Sequence, residues 1–182
     1  PILFVGGHGA AKTDGSYAIA KALLGERLKW AKYECQHVQM DDLVGLIKPK
    51  SLDTDEITYI GNRISVWNVN AICLDELTRA HPSVAGKLME LVRDQSIFGI
   101  QTQIEYVFST ANPVSKEYTT HRIDVALGSR FVIVPVPSFH ELSDEDAKHV
   151  LGRSLGGNPK LDQIRVTNQI RTVMSIRALL AK

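Results

Sequence analysis

Residues 6–13 read Gly6-Gly7-His8-Gly9-Ala10-Ala11-Lys12-Thr13. An apolar run, Ile2–Val5, precedes them, and a helical pattern begins near Ser16. A strand, a loop of small residues and a helix, in this order, form the setting that a phosphate-binding loop requires. The backbone N–H groups of such a loop converge on one anion, and the N-terminus of the following helix adds its positive end. The alternative interpretation is an ordinary glycine-rich turn followed by an unrelated Lys-Thr pair.

The last residues of this loop carry the most specific expectations. Ala11 stands where loops of this kind usually have a second glycine. Since alanine tolerates a positive φ poorly, either Ala11 takes helical angles or the loop is slightly altered. Lys12 would reach the β- and γ-phosphates of a nucleotide, and the Thr13 hydroxyl would complete the shell of a Mg²⁺ ion.

A second informative stretch is Ala71-Ile72-Cys73-Leu74-Asp75-Glu76, an apolar strand that ends in two acids. Asp75 would hold Mg²⁺, partly through water, and Glu76 would polarise the water that attacks the terminal phosphate. Taken with the loop, the acid pair predicts a Mg²⁺-dependent nucleoside triphosphatase. The alternative is an acid pair that only favours the positive end of the next helix.

Composition limits the other possibilities. The chain has 182 residues, with 44% hydrophobic and 23% charged residues, which suits one domain or one domain with a small appendage. No secretory signal is recognisable, and no apolar run approaches the ~20 residues needed to span a bilayer. Cys35 and Cys73 lie in predicted buried strands, so we expect reduced core cysteines in a cytoplasmic protein, and not a zinc site.

Strands and helices are predicted to alternate along the chain. Strands are expected at residues 2–5, 33–39, 71–74, 104–109 and 131–136. One intervening helix would bury a face made of Ile19, Ala22, Leu23 and Trp30, and another a face made of Val84, Ala85, Leu88, Leu91 and Val92. This alternation predicts an α/β fold with a five-stranded parallel sheet between helices. Residues 48–62 are expected to form a long loop, and only a small hairpin fits between Leu91 and Ile104.

A boundary is predicted near residue 138, which separates an α/β core of residues 1–138 from a partial helical region of residues 139–182. Beyond residue 147 the charges are predominantly basic. Such a tail can contact nucleic acid, but the favoured alternative is the solvated faces of amphipathic helices that pack on a neighbouring subunit.

Five segments together resemble the AAA+ superfamily of ATPases, and within it most the MoxR-type and dynein-related branch. The segments occur in the order of that family and are Gly6–Thr13 (Walker A), residues 40–45, residues 75–82 (Walker B and its continuation), residues 109–113 (sensor 1) and residues 126–131 (the arginine-finger segment). They cover roughly residues 1–137. Thr78 stands where that branch often has Asn. We expect the core to lack the adenine-contacting segment that precedes the first strand in this family, and no sensor 2 arginine is recognisable in the expected lid.

The resemblance implies a set of site residues. Asn112 would position the attacking water, although Asn112-Pro113 is also a common turn. Arg130 would reach the γ-phosphate bound by a neighbouring subunit, although a local ion pair is the alternative. Arg79 and Arg122 could share that task, and Gln39 could hold Glu76 inactive. The residues implied to bind ATP are Gly7, His8, Gly9, Ala10, Ala11, Lys12, Thr13 and Asp14; those implied to hold Mg²⁺ are Thr13 and Asp75; those implied in catalysis are Lys12, Glu76, Asn112 and Arg130.

The resemblance also implies assembly and a task. We expect a homo-oligomeric ring, with a hexamer as the expected form, that uses ATP hydrolysis to remodel a protein partner or to insert a cofactor. The main alternative is a nucleic-acid motor such as a translocase, helicase or restriction-associated ring. No basic stretch interleaved with aromatic residues supports that alternative, and Phe98 is the one aromatic expected to face a pore. An inactive ring member is a third possibility, against which the intact Lys12, Asp75 and Glu76 argue.

Overall fold

The computed structural model describes residues 1–48, 58–113, 129–156 and 173–174. Its central element is a five-stranded sheet in which all neighbouring strands are parallel. With strands numbered along the chain, the order across the sheet is β2 (Trp30–Glu34), β5 (Ala71–Asp75), β8 (Tyr106–Ala111), β1 (Ile2–Val5) and β9 (Val132–Pro135). The structure therefore confirms the predicted α/β class and its five-stranded parallel sheet.

Helices and short hairpins connect these strands. The helices are α1 (Lys12–Leu24), α2 (Met40–Val44) and α3 (Pro82–Asp94), and 3₁₀ turns lie at Gly25–Arg27 and Leu77–Arg79. Two antiparallel hairpins pair β3 (Leu46–Ile47) with β4 (Tyr59–Ile60) and β6 (Ser96–Ile97) with β7 (Ile100–Gln101).

The sheet buries apolar side chains on both faces because successive residues of a strand point to opposite sides. On β1, Leu3 joins one core cluster and Phe4 joins the other. The first four residues of β5 are all fully buried, as expected for a strand in the middle of a parallel sheet. α1 covers one face through Ala20 and Leu24.

α3 covers the opposite face and follows its predicted pattern. The helix begins with Pro82, whose missing N–H is not needed at that position, after a cap in which the His81 ring accepts from the Ser83 N–H. Its buried residues are Val84, Leu88, Leu91 and Val92, which confirms the predicted apolar face apart from the half-buried Ala85.

The apolar face predicted for α1 is wrong. The buried residues of this helix are Ser16, Ala20 and Leu24, spaced four apart, whereas Ile19 and Leu23 are exposed. Small side chains at two of these positions let the helix lie close to the sheet, where the Ser16 hydroxyl approaches the Cys73 sulfur at 3.5 Å. Trp30 belongs to β2 and not to the helix. Two of the three buried positions therefore carry small residues, which a search for large apolar side chains overlooks.

The second strand lies earlier than predicted, at Trp30–Glu34 and not at residues 33–39. β2 is an edge strand, in which Ala31 and Tyr33 are buried while Lys32 and Glu34 are exposed. Its two charged residues interrupt the continuous apolar run by which the buried strands were recognised. Cys35 and Val38 are buried in the turn that follows the strand, because that turn packs on the core.

The hairpin between α3 and β8 is present as predicted, with Phe98 and Gly99 at its tip, both at positive φ. The β3–β4 hairpin was not predicted: β3 directly precedes residues 48–62, which were expected to be a loop, and β4 lies within them. Residues 49–57 lie outside the described part. Tyr59 of β4 stacks on Phe98 with ring centroids 6.3 Å apart. Aromatic stacking thus joins the two hairpins.

The chain divides into two compact units. The first comprises Pro1–Gly6 with Ala11–Val136, and the second Gly7–Ala10 with Pro137–Lys182. Within the second, α4 (Asp144–Gly156) begins after Ser143, whose hydroxyl accepts from the Asp146 N–H. The acids of its first turn favour the positive end of the helix. The sequence-based boundary near residue 138 stays a prediction.

Cys35 and Cys73 are free thiols and are fully buried. Burial raises the pKa of both, that of Cys73 to about 12, so neither thiol is a reactive thiolate. Across the described ranges, no helix combines the length and apolar character needed to cross a membrane.

Candidate functional site

The carboxyl ends of three adjacent strands, β5, β8 and β1, form one edge of the sheet, and the predicted polar residues follow these strands. Directly after β1, the Gly6 N–H donates to the Ala111 carbonyl at 3.2 Å. A Cβ atom on Gly6 would lie 2.4 Å from the Val136 carbonyl oxygen. Only glycine fits at this position after β1, because a side chain would collide with the backbone that follows β9.

Ala11 adopts left-handed angles, with φ 52° and ψ 27°, immediately before α1. Ala11 therefore does not take right-handed helical angles. The loop instead keeps the left-handed bend that a glycine would normally provide at this position. Because the left-handed region costs a residue with a Cβ roughly 1–2 kcal/mol, strain is stored beside the first helical turn.

Ala11→Gly is expected to raise the free energy of unfolding by about 1 kcal/mol, because glycine adopts a positive φ without strain. Urea denaturation at equilibrium measures the change. The matched control is Ala18→Gly, at an exposed position inside α1, which should lower the free energy of unfolding by about 1 kcal/mol. Destabilisation by both substitutions would contradict the strain at Ala11.

Lys12 begins α1 and reaches back toward the sheet. Its Nζ donates to the Gly6 carbonyl at 2.8 Å and to Asn112 Oδ1 at 3.2 Å. Burial lowers the pKa of Lys12, while the charges of the acid pair at the end of β5 act in the opposite direction. An ammonium held at this point, among oxygen acceptors, is placed to exchange those acceptors for phosphate oxygens.

Asp75 is the last residue of β5 and accepts two hydroxyl hydrogen bonds on Oδ1, from Thr13 at 2.8 Å and from Thr110 at 2.5 Å. Burial acts to raise the pKa of Asp75. The two hydroxyl bonds and the Lys32 ammonium, 3.5 Å from Oδ2, outweigh burial and hold that pKa below its ordinary value. Asp75 is therefore an ionised carboxylate beside the Thr13 hydroxyl.

Asn112 directly follows β8 and is only 4% exposed. Its side chain links Lys12 to Glu76. Its Oδ1 accepts from Lys12, and its Nδ2 donates to Glu76 Oε1 at 3.4 Å. Glu76 has left-handed angles, φ 53° and ψ 47°, and its N–H donates to the Thr110 hydroxyl. A strained residue whose carboxylate projects from a strand end is typical of a functional position.

The oxygen atoms at this edge are of the kind that a magnesium ion takes as ligands. No group of three or more His, Cys, Asp or Glu side chains is placed to hold a metal ion within the described ranges. Mg²⁺ at a nucleotide site takes one or two carboxylates together with phosphate oxygens and water. The neighbouring Thr13 hydroxyl and Asp75 carboxylate suit that requirement and are the candidate ligands.

The remaining predicted site residues are placed differently. Arg130 precedes β9 at the amino end of the sheet, where its charge contributes to lowering the pKa of Asp94. Asp14 is exposed in the first turn of α1, and Gly7–Ala10 belong to the second unit, with Gly9 at φ 72°. Arg122 lies outside the described residues.

The structure also describes the contacts of Gln39 and Arg79. The Gln39 side chain takes part in a capping box at the start of α2, where it accepts from the Asp42 backbone. Glu76 is engaged by Arg79 and Asn112, so holding Glu76 is not the role the structure gives Gln39. Arg79, expected near a subunit seam, contacts Glu76 of its own chain.

Thr110 and Lys32 contact Asp75 and were missed as site residues. Thr110 could have been identified from the sequence. It lies on β8, two residues before Asn112, and side chains two residues apart on an extended chain point to the same side. Lys32 gave no signal, because its proximity to Asp75 depends on the pairing of β2 with β5.

Comparison with known proteins gave one family match. The family described as AAA domain (dynein-related subfamily) matches residues 1–131. No curated protein sequence matches the chain.

Two solved structures illustrate the fold. A cryo-EM reconstruction of closed-state Hsp104 with ATPγS and FITC casein is 18% identical, with a TM-score of 0.57, and covers 85% of this chain and 31% of its own. A crystal structure of NtrX from Brucella abortus with ADP is 16% identical, with a TM-score of 0.55, and covers 85% of this chain and 36% of its own. This chain thus spans about a third of the length of either protein.

Proposed function

Because the chain belongs to the AAA domain family, in its dynein-related subfamily, we propose that it binds ATP with Mg²⁺ and hydrolyses it within a ring of identical subunits. The observation that carries the proposal is the continuous set of contacts at the carboxyl edge of the sheet. Lys12 contacts Asn112, Asn112 contacts Glu76, and the Thr13 hydroxyl contacts Asp75. These are the residue types that phosphoryl transfer uses for phosphate, water and metal.

In this proposal each residue has a separate task. Lys12 leaves the Gly6 carbonyl and binds the terminal phosphates, which neutralises part of their charge. A Mg²⁺ ion held by Thr13 and Asp75 would supply further charge stabilisation to the phosphate oxygens. Asn112 orients the attacking water, and Glu76 accepts its proton.

A neighbouring subunit supplies the remaining positive charge. Arg130 lies at the amino end of the sheet, whereas Lys12, Asp75 and Asn112 lie at the carboxyl end. An arginine so far from the phosphate loop of its own chain is suited to act on the nucleotide of the next chain. This placement supports a ring in which every site combines residues of two subunits.

The partner on which this ring acts is proposed to be a protein. The two hairpins present exposed apolar side chains, with Leu46 63%, Ile60 55% and Phe98 46% exposed. Apolar and aromatic side chains of this kind favour contact with a polypeptide, since surfaces that bind nucleic acid are predominantly basic. Most of the basic residues of the C-terminal region lie outside the described residues.

Lys12→Ala tests nucleotide binding. We expect the affinity for ATP to fall about 10- to 100-fold, because a charged hydrogen bond to phosphate contributes roughly 1.5–3 kcal/mol. Isothermal titration calorimetry measures it, and Lys21→Ala, an exposed lysine on the same helix, should leave the affinity unchanged. Equal affinities for wild type and Lys12→Ala would contradict the phosphate loop.

The choice of a protein partner predicts little effect of nucleic acid on ATP hydrolysis. The rate of phosphate release should change by less than about twofold on addition of single- or double-stranded DNA or RNA at low salt. Strong stimulation that disappears as the salt concentration rises would instead favour a nucleic-acid motor, because phosphate contacts are lost in salt.

A further inference from the structure

The carboxylate assigned to proton transfer is already held by an arginine of the same chain. Arg79 Nη1 lies 2.9 Å from Glu76 Oε2. Both residues belong to the tight turn after β5, in which the Arg79 N–H donates to the Glu76 carbonyl at 2.8 Å. Because side chains three residues apart eclipse each other in a 3₁₀ turn, the local backbone brings the guanidinium onto the carboxylate.

This contact opposes the task proposed for Glu76. A guanidinium that donates to a carboxylate oxygen occupies one of the lone pairs through which that oxygen would accept from the attacking water. The Asn112 amide donates to the other oxygen, Oε1. Glu76 is thus engaged at both oxygens in the conformation that the structure describes.

The geometry of the Arg79–Glu76 contact also makes this ion pair easy to break. Only Nη1 of Arg79 contacts Glu76, and the same Nη1 is shared with Gln36 Oε1 at 3.4 Å. Among the described residues, the buried Arg79 Nε has no hydrogen-bond partner. A single-point contact with an unsatisfied donor is weaker than a two-point arginine–carboxylate pair.

Space for the movement exists beside the pair. An open cleft of about 260 Å³ adjoins it at the ends of β2 and β5. Its lining residues are Glu34, Cys35, Gln36, His37, Asp75 and Glu76. The Gln36 oxygen offers an alternative acceptor there, so Arg79 can leave Glu76 without losing every partner.

We infer that Arg79 is a positioning residue that restrains Glu76, and that opening of the Arg79–Glu76 pair limits the rate of ATP hydrolysis. The inference rests on the proposed function and adds regulation to the same site. It differs from the task of an arginine finger, because Arg79 acts here on its own chain and against catalysis.

Arg79→Gln in the full chain tests the restraint, since glutamine is neutral and similar in size. We expect kcat to rise about three- to fivefold, the range set by the modest strength of a partly exposed ion pair, with KM changed less than twofold. Arg79→Lys keeps a charge able to make one contact and should stay close to wild type. Arg93→Gln, which removes an exposed arginine from its pair with Asp94, should leave kcat unchanged.

A double substitution shows whether Arg79 acts through Glu76. Arg79→Gln should produce no acceleration in a Glu76→Gln background, because the restrained group is absent. Melting temperatures identify a variant that fails to fold, in which case Arg79→Met replaces Arg79→Gln in the same assays.

The outcomes separate the two proposals. If wild type hydrolyses ATP and Glu76→Gln does not, but Arg79→Gln has an equal or lower kcat than wild type, the restraint is overturned and the proposed function stands. Acceleration that persists in the Glu76→Gln background also overturns the restraint. If wild type and Arg79→Gln both fail to hydrolyse ATP that they bind, the proposed function itself is overturned, and the restraint with it.

Discussion

Glu76→Gln is expected to lower the turnover of ATP by about 10²- to 10⁴-fold while ATP still binds. Glutamine keeps the size of the side chain and can still contact Asn112, but it cannot accept a proton from water. Asp75, the candidate metal ligand, is unchanged, so Mg²⁺ and ATP should bind with near wild-type affinity.

Phosphate release and calorimetric binding together check this prediction. The control is Glu26→Gln, a fully exposed carboxylate far from the edge of the sheet that carries the site, which should leave both quantities unchanged. Wild-type turnover in Glu76→Gln would remove Glu76 from the proposed mechanism. A loss of binding equal to that of Lys12→Ala would show a structural role for Glu76 and not a role in proton transfer.

Arg130→Ala is expected to have an effect of comparable size, a loss of about 10³-fold in turnover with ATP affinity nearly preserved. The reason is that a charge supplied by a neighbouring subunit stabilises the transition state more than the bound nucleotide. Steady-state turnover and calorimetry measure the two effects.

A loss of activity in Arg130→Ala could also arise from an ion pair that Arg130 makes within its own chain. Asp94→Asn distinguishes this explanation from action on a neighbouring subunit. Arg130 contributes to lowering the pKa of Asp94, so an effect of Arg130→Ala that arose from losing this interaction would be reproduced by Asp94→Asn. We expect Asp94→Asn to keep wild-type turnover. Full activity of Arg130→Ala would end the assignment and leave Arg122 as the candidate.

The sequence was sufficient for the parts of the fold that depend on local patterns. β1, β5 and α3 are buried on regular periods with large apolar residues, and their positions were predicted closely. β2 was displaced because an edge strand with Lys32 and Glu34 lacks a continuous apolar run. The buried face of α1 was missed because close packing on the sheet selected serine and alanine.

The same distinction applies to the candidate site. Lys12 begins α1, Asp75 ends β5 and Asn112 follows β8, so their convergence could be anticipated from the parallel sheet. The contacts of Lys32 with Asp75 and of Arg79 with Glu76 depend on strand pairing and on a strained backbone turn. Neither is encoded by a motif, and only the three-dimensional arrangement reveals the contact of Arg79 with a residue of its own chain.

The central claim is that one subunit contributes Lys12, Asp75 and Glu76 to each site, and that the next subunit contributes Arg130. Mixing Arg130→Ala with Glu76→Gln tests it most directly, because mixed rings contain junctions at which an intact Glu76 faces an intact Arg130. Phosphate release should rise well above the sum of the two separate variants. Mixed rings that are shown by native mass spectrometry to form, yet release phosphate no faster than that sum, would contradict the claim.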